Sequence, residues 1–375
     1  MSSLVTDAGA SVLAGESAGP SDPSEPPATG RRRRQGGGLG RYILIRFLLI
    51  IPTVFILVTL VFFLMRVTGD PITASQGGRL TPSELQVRIH AAGYDRPLLV
   101  QYGEYLGGIV RGDFGTSVSD NLPVTQILTT YGSATLELAL YALIVAFLVG
   151  FPLGRIAAYR RDHWQDASLR IFAILCYATP IFFAGLLLKL VFSVWLGWFP
   201  TNGRADTDVA LELQSIHGAT GVYLLDALRT GRPDLIGNVA WHAVLPGVAL
   251  GLLTAGVFLR LVRTNMIGTL QAGYVDAARS RGVGEGRLLR KHAYKRALVP
   301  IVTVVGLQIA MLLSGAVLTE TTFEWRGLGF QLSEYLKARD YVAVQGIVVL
   351  LSVIVAVVNF IVDIIAALID PRIRY

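Results

Sequence analysis

Six runs of apolar residues, each long enough for a helix that crosses a bilayer, constrain this chain more than any other feature. They lie at Tyr42–Met65, Ala134–Gly154, Leu169–Trp195, Val244–Val262, Leu298–Leu318 and Val344–Ile369, where a spanning helix needs about 20 residues. Hydrocarbon offers the backbone no hydrogen-bond partner, so each N–H and C=O must be satisfied within the protein, and a run of this kind becomes a helix. The fold class that follows is all-α, a polytopic membrane protein with six transmembrane helices. Composition agrees: of 375 residues, 53% are hydrophobic and only 16% charged.

The formal charge of +7 is explained by where the basic residues stand. Arg31–Arg34 and Arg41 precede the first run, Arg46 lies at its start, and Arg155, Arg160 and Arg161 follow the second. Arg279, Arg281, Arg287, Arg290, Lys291, Lys295 and Arg296 fill the link between the fourth and fifth runs, and Arg372 and Arg374 follow the sixth. Basic residues gather on cytoplasmic loops, so this pattern predicts cytoplasmic N- and C-termini on the same side as that link. No basic patch interleaved with aromatics stands apart from the span ends, which argues against a nucleic-acid partner and leaves membrane lipid. The lone Cys176 excludes an internal disulfide and a cysteine metal site. His90, His163, His217, His242 and His292 are scattered without metal-ligand spacing, so no metal is expected.

Residues 1–40, rich in Ser, Gly, Pro and Ala, cannot bury a core and are predicted to form a disordered cytoplasmic tail. The membrane domain then occupies 41–375, with outer loops at about 66–133, 197–242 and 319–343 and an inner loop at about 263–297. In the first outer loop, Thr81-Pro82-Ser83-Glu84 predicts a helix start capped by Thr81 or Ser83. A second helix is expected through Tyr102–Val110, then a glycine-punctuated turn at Arg111–Ser117. The stretch at about 204–238 in the second loop shows no strong periodicity. Pro52, Pro152, Pro180, Pro246 and Pro300 lie in or beside the runs and predict kinks. Ionisable residues inside the runs are few: Glu137 is a candidate for lining a pathway, Lys189 can reach outward, and Asp363 suits a structural pair. His163 and Asp166 read as solvated residues of a cytoplasmic turn.

The inner loop carries the most specific signal. Tyr274–Arg281 lacks proline and glycine and predicts a short helix, stopped by Gly282. Asp276-Ala277-Ala278, three residues, Gly282, and a basic stretch ending in Leu298-Val299-Pro300 resemble the "EAA" loop of ABC-importer permeases. The subfamily handling dipeptides, oligopeptides and nickel has similar spacing, with Glu where this chain has Asp276. Gly69-Asp70-Pro71, "DRPLLVQYGEYL" and "GDFGTS" in the first outer loop are similar to the same family. So are "ETTFEWRGLGF" before the last run and the terminal Asp370-Pro371-Arg372-Ile373-Arg374-Tyr375. The likeness extends over nearly all of Arg41–Tyr375, apart from the second-loop insert.

This resemblance implies a permease that works by alternating access in a bacterial plasma membrane. It implies a second homologous permease, two ATP-binding ATPase subunits and an extracytoplasmic substrate-binding protein as partners. Tyr274, Asp276, Ala277, Ala278, Arg279 and Gly282 would form a coupling helix against an ATPase. Glu320, Glu324, Trp325 and Arg326 are weaker candidates for an outer-face contact. No stretch reads GxxxxGK[ST], so the chain is not expected to be an enzyme or to hold a cofactor; ATP and Mg would sit on the partner ATPases. The substrate stays open among dipeptides, oligopeptides, nickel chelates, glutathione and haem. Four further readings compete from the residues alone. Two are a basic loop lying on anionic lipid, and a secondary transporter, which would call for related halves and midplane charges that the sequence does not display. The others are a membrane-bound enzyme, against which the missing motifs argue, and a structural membrane protein that scaffolds others, with which the long basic inner loop is compatible.

Overall fold

The computed structural model describes residues 39–369, except 68, 79, 289–293 and 295–298. The tail up to residue 38, the most basic part of the inner loop and the ending at 370–375 lie outside the described residues. Helices follow in the order α1 (Leu39–Val67), α2 (Pro71–Gln76), α3 (Pro82–Ala91), α4 (Leu98–Arg111), α5 (Val124–Tyr159), α6 (Trp164–Ala178), α7 (Ile181–Leu188), α8 (Thr207–Ser215), α9 (Tyr223–Thr230), α10 (Pro233–Leu270), α11 (Gly273–Ser280), α12 (Glu285–Arg287), α13 (Val299–Phe323), α14 (Leu328–Lys337) and α15 (Tyr341–Ile369). Among the described residues no strand forms; Thr116 and Pro123 make only an isolated antiparallel bridge.

Within α1, α5, α10, α13 and α15 lie five stretches long and apolar enough to cross a membrane alone. The third run departs from the expectation of one straight helix. It breaks at Thr179–Pro180 into α6 and α7, which meet at 107°, and α7 continues into a π-helical stretch at Lys189–Trp195. The bent pair begins against Arg263 near the α11 end of α10 and finishes against Thr322 at the far end of α13; counted as one span it is the sixth. Pro52, Pro152 and Pro246 lie inside helices that run on through them. Pro300 stands in the first turn of α13, where a missing N–H costs nothing.

The most deeply buried span is α10, and α5 is its principal partner. Glycines set their separation. A Cβ on Gly251 would lie 2.6 Å from the Ala142 carbonyl oxygen, and one on Gly150 would lie 2.8 Å from that of Ala255. Another on Gly154 would meet the Leu259 carbonyl at 2.8 Å. Both helices thus carry a G-x-x-x-G pair, Gly150/Gly154 and Gly247/Gly251, the pattern that lets membrane helices approach backbone to backbone. Around this seam, Ala134, Leu138, Ala142, Ala243, Leu250, Leu312, Ala316 and Trp325 form one buried cluster. Peripheral α1 and α15 pair with each other: Arg46 reaches Asp363 at 3.2 Å and Phe47 meets Phe360 edge-on. Asp363 thus has the structural partner expected of it.

The loops opposite α11 are built, not slack. Thr81 caps α3 through a reciprocal box, its Oγ1 accepting from the Glu84 N–H while the Glu84 carboxylate accepts from the Thr81 N–H at 3.0 Å. In α4, Tyr102 and Tyr105 pack their rings on Phe62 of α1. The "GDFGTS" turn uses left-handed glycines at Gly112 and Gly115, with φ of 77° and 83°. It is clamped from a distance in sequence: Ser117 Oγ donates to Asp340 at 2.7 Å, and Tyr335 donates to Asp120 at 2.7 Å. Burial raises the Tyr335 phenol above its ordinary range, helped by the Asp120 carboxylate beside it. The aperiodic insert folds too. Its helices α8 and α9 enclose Leu213, Tyr223, Ala227, Leu235 and Val239 together with the first turns of α10. This explains why α10 starts at Pro233, well before the apolar run at Val244.

Candidate functional site

At one end of the bundle α10 runs out at Leu270, and α11 follows almost at once. Gly282 closes α11 as a Schellman turn. Its φ is 76°, its N–H donates to Arg279 at 2.9 Å, and the Val283 N–H donates to Ala278 at 3.2 Å. The stop thus falls at the glycine singled out from sequence, and the helix differs from the expected Tyr274–Arg281 by one residue at each end.

Only Val275 of α11 is fully buried in this chain; Tyr274 and Ala278 are half-buried, whereas Asp276, Ala277, Arg279, Ser280 and Gly282 are exposed. The six expected coupling residues therefore divide. Ala278, one turn from Val275, turns partly toward its own bundle, and Ala277 is the alanine that a partner can reach. Asp276 accepts from Arg279 at 2.7 Å within the helix, an exposed pair worth about 0–1 kcal/mol and cheap to exchange for another partner. The helix presents an exposed face with Asp276, Ala277, Arg279 and Ser280 after the end of the most buried span.

Just above it lies a contact that the sequence reading missed. Asp166 is not a solvated turn residue; its side chain is fully buried and receives a two-pronged hydrogen bond from Arg263 of α10, at 2.6 and 2.8 Å. The Asp162 N–H adds a third bond at 3.2 Å. His163 next to it is exposed. A spacing of 97 residues hid the pair, though an acid close to the start of an apolar run and an arginine at the end of another were both visible.

At the opposite end, Glu137 does not stand free toward a pathway in this structure. Its buried carboxylate pairs with Arg204 of the insert, accepts from Tyr141 at 3.0 Å and accepts from the Leu224 N–H at 2.9 Å. The Arg204 guanidinium lies over the Tyr223 ring, 3.7 Å from its centroid. The insert is thereby tied to α5. Lys189 donates to Asn202 at 2.6 Å and to the Thr322 carbonyl at 3.1 Å, closing the same end.

Of the four outer-face candidates, Glu320 and Trp325 are buried, so neither is available as a contact. Glu320 accepts from Thr135 at 2.7 Å and from the Phe330 N–H at 2.8 Å. Trp325 donates from Nε1 to the Ala134 carbonyl at 2.9 Å. A Cβ on Gly327 would lie 2.5 Å from the Glu320 carboxylate, so a larger residue here would displace that side chain. Glu324 and Arg326 are exposed, and they line a cavity of about 840 Å³ with Arg204, Tyr223, Asp226 and Thr130. Among the described residues no cluster of side chains could hold a metal ion.

Comparison with known proteins places this architecture. Residues 150–375 match the family described as binding-protein-dependent transport system inner membrane component, and residues 39–132 match its N-terminal companion. The di/tripeptide transport system permease protein DppB of Pseudomonas aeruginosa is 38% identical over 89% of this chain and 98% of its own length. The dipeptide permease DppB of Escherichia coli is 36% identical over 89% of this chain and 99% of its own. A glutathione transport system permease of Salmonella choleraesuis, GsiC, is 33% identical over 89% of this chain and 99% of its own. Among solved structures, an inward-facing MetNI methionine ABC transporter aligns with a TM-score of 0.47 at 16% identity, over 65% of this chain and 98% of that one. This multi-pass membrane protein belongs to the family of inner membrane components of binding-protein-dependent transport systems.

Proposed function

We propose that the chain is a permease subunit of an ATP-driven importer of short peptides, dipeptides or oligopeptides. The relatives named for dipeptides, di/tripeptides and glutathione share one substrate chemistry, the peptide. A second, homologous permease completes the pathway, and an extracytoplasmic binding protein delivers substrate to the insert end. Two ATPase subunits, which hold ATP and Mg, dock from the cytoplasm, the side of both termini in a bacterial plasma membrane. The basic residues beside α11 and before α1 support that orientation.

One observation carries the coupling role: of α11 only Val275 is fully buried in this chain, and the side chains of Asp276 and Ala277 are exposed. A helix with one buried apolar residue and small residues such as Ala277 on its exposed side is shaped to enter a groove of another protein. ATP closes the ATPases together, α11 moves with them, and the bundle reorients from outward to inward access. The chain itself performs no bond chemistry.

Ala277→Asp tests this, because it puts a charge into the docking face without touching this chain's core. Membrane insertion stays normal, and ATP-dependent peptide uptake by the reconstituted complex falls about tenfold or more, as expected for about 1.4 kcal/mol or more of lost coupling. Uptake at the wild-type rate would remove α11 from the coupling contact.

A further inference from the structure

The buried pair above α11 joins two spans. Asp166 stands in the first turn of α6, and Arg263 about two turns before the end of α10. Asp166 is 0% exposed and Arg263 19% exposed, in a fork that uses both carboxylate oxygens. Arg170 adds charge at 3.8 Å. A short Arg–carboxylate fork in a buried site fixes direction as well as distance, because both guanidinium prongs have to stay in plane with the acid.

Farther along the same two helices the fit is equally tight. A Cβ on Gly256 would lie 2.9 Å from the Ala173 carbonyl oxygen and 3.0 Å from Cys176 Cβ. There Ala173 of α6 and Leu259 of α10 are buried together with Ala157 of α5. So α6 is joined to α10 along most of its length, from Asp166 to Cys176. Then α6 ends at the 107° bend, where Pro180 removes a donor and Thr179 takes an extended backbone.

We propose that Asp166 and Arg263 are positioning residues that make α6 and the α11 end of α10 a single lever. Displacement of α11 is thereby carried past α10 to the bend at Thr179–Pro180. The inference rests on the coupling role proposed for α11. Without the fork, α10 moves at its end while α6 lags, and part of each ATP-driven stroke is lost inside the bundle.

The test uses the assembled complex, this chain with its partner permease and ATPases, in proteoliposomes. Peptide uptake per ATP hydrolysed is measured for Asp166→Asn and for the exchanged pair Asp166→Arg with Arg263→Asp. Asp166→Asn is expected to keep assembly and ATP hydrolysis while uptake per ATP falls about tenfold, within the range for residues that carry coupling between sites. The exchanged pair recovers much of that loss. Unchanged uptake per ATP would overturn the proposal, and a complex that no longer assembles would overturn it too, by making the pair a folding element only. A covalent version separates a lock from a switch: Asp166→Cys with Arg263→Cys, in a Cys176→Ala background, bridged by a bifunctional thiol reagent. A lever works with the bridge in place, so bridging restores uptake per ATP; arrest on bridging would mean that the two helices have to part. Ala277→Asp runs alongside. If it uncouples while Asp166→Asn does not, the lever fails and the docking role stands; if neither changes uptake, the docking role itself fails.

Discussion

Glu137 illustrates how a single acid in an apolar run gains its meaning from a distant partner. An isolated carboxylate at that depth would be costly, and Arg204, Tyr141 and two backbone N–H groups remove the cost. Arg204→Ala would leave the acid buried and unpaired, a change of about 3–5 kcal/mol. The purified chain should then unfold at lower temperature, and a protease should cut the insert near Gly221 sooner. Unaltered melting and protection would show that the pair does not hold the insert. The sequence showed Glu137 as unusual, yet its partner lies 67 residues away in a stretch without periodicity, so no spacing rule could join them. Trp325 and Glu320 were legible as a motif but not as buried, because the turn at Gly327 folds the motif back onto its own helix.

Helix by helix, the apolar runs were read well and their joints poorly. Hydropathy reports that a segment is helical; it does not report which proline breaks it. Five prolines look alike in sequence, but of them Pro52, Pro152 and Pro246 lie inside helices that run on, whereas Pro180 stands at a break between two helices. There α7 leaves α6 and brings Gly185 against Phe323 and Thr322, where a Cβ would sit 3.2 and 3.3 Å away. Helix α11 and its stop at Gly282 were legible because a positive φ at a glycine is a local event. The α5–α10 seam was legible in principle through its two G-x-x-x-G pairs. Gly251→Val should cost about 1–3 kcal/mol by overpacking, since its first carbon would already lie 2.6 Å from the Ala142 carbonyl. A thermal melt of the purified chain in detergent reads that cost, and a melt unchanged by the substitution would mean that the two backbones are not in close contact.

Taken whole, the described molecule has two differently built ends joined by α10, the most buried of its spans. One end carries the insert, the cavity edged by Glu324 and Arg326, and the clamp of Ser117 on Asp340. The other carries α11 on the stem held by Asp166 and Arg263. Family motifs singled out residues at both ends from sequence, whereas the long-range pairs Glu137–Arg204 and Asp166–Arg263 appear only in three dimensions. The central claim is that this chain works as a coupled subunit and not alone. Its most direct test is to purify the tagged, full-length chain in mild detergent and identify by mass spectrometry what accompanies it. The account predicts a second six-span permease together with P-loop ATPases, and their loss in Ala277→Asp with the second permease retained. A chain recovered alone, stable and free of any ATPase, would contradict it.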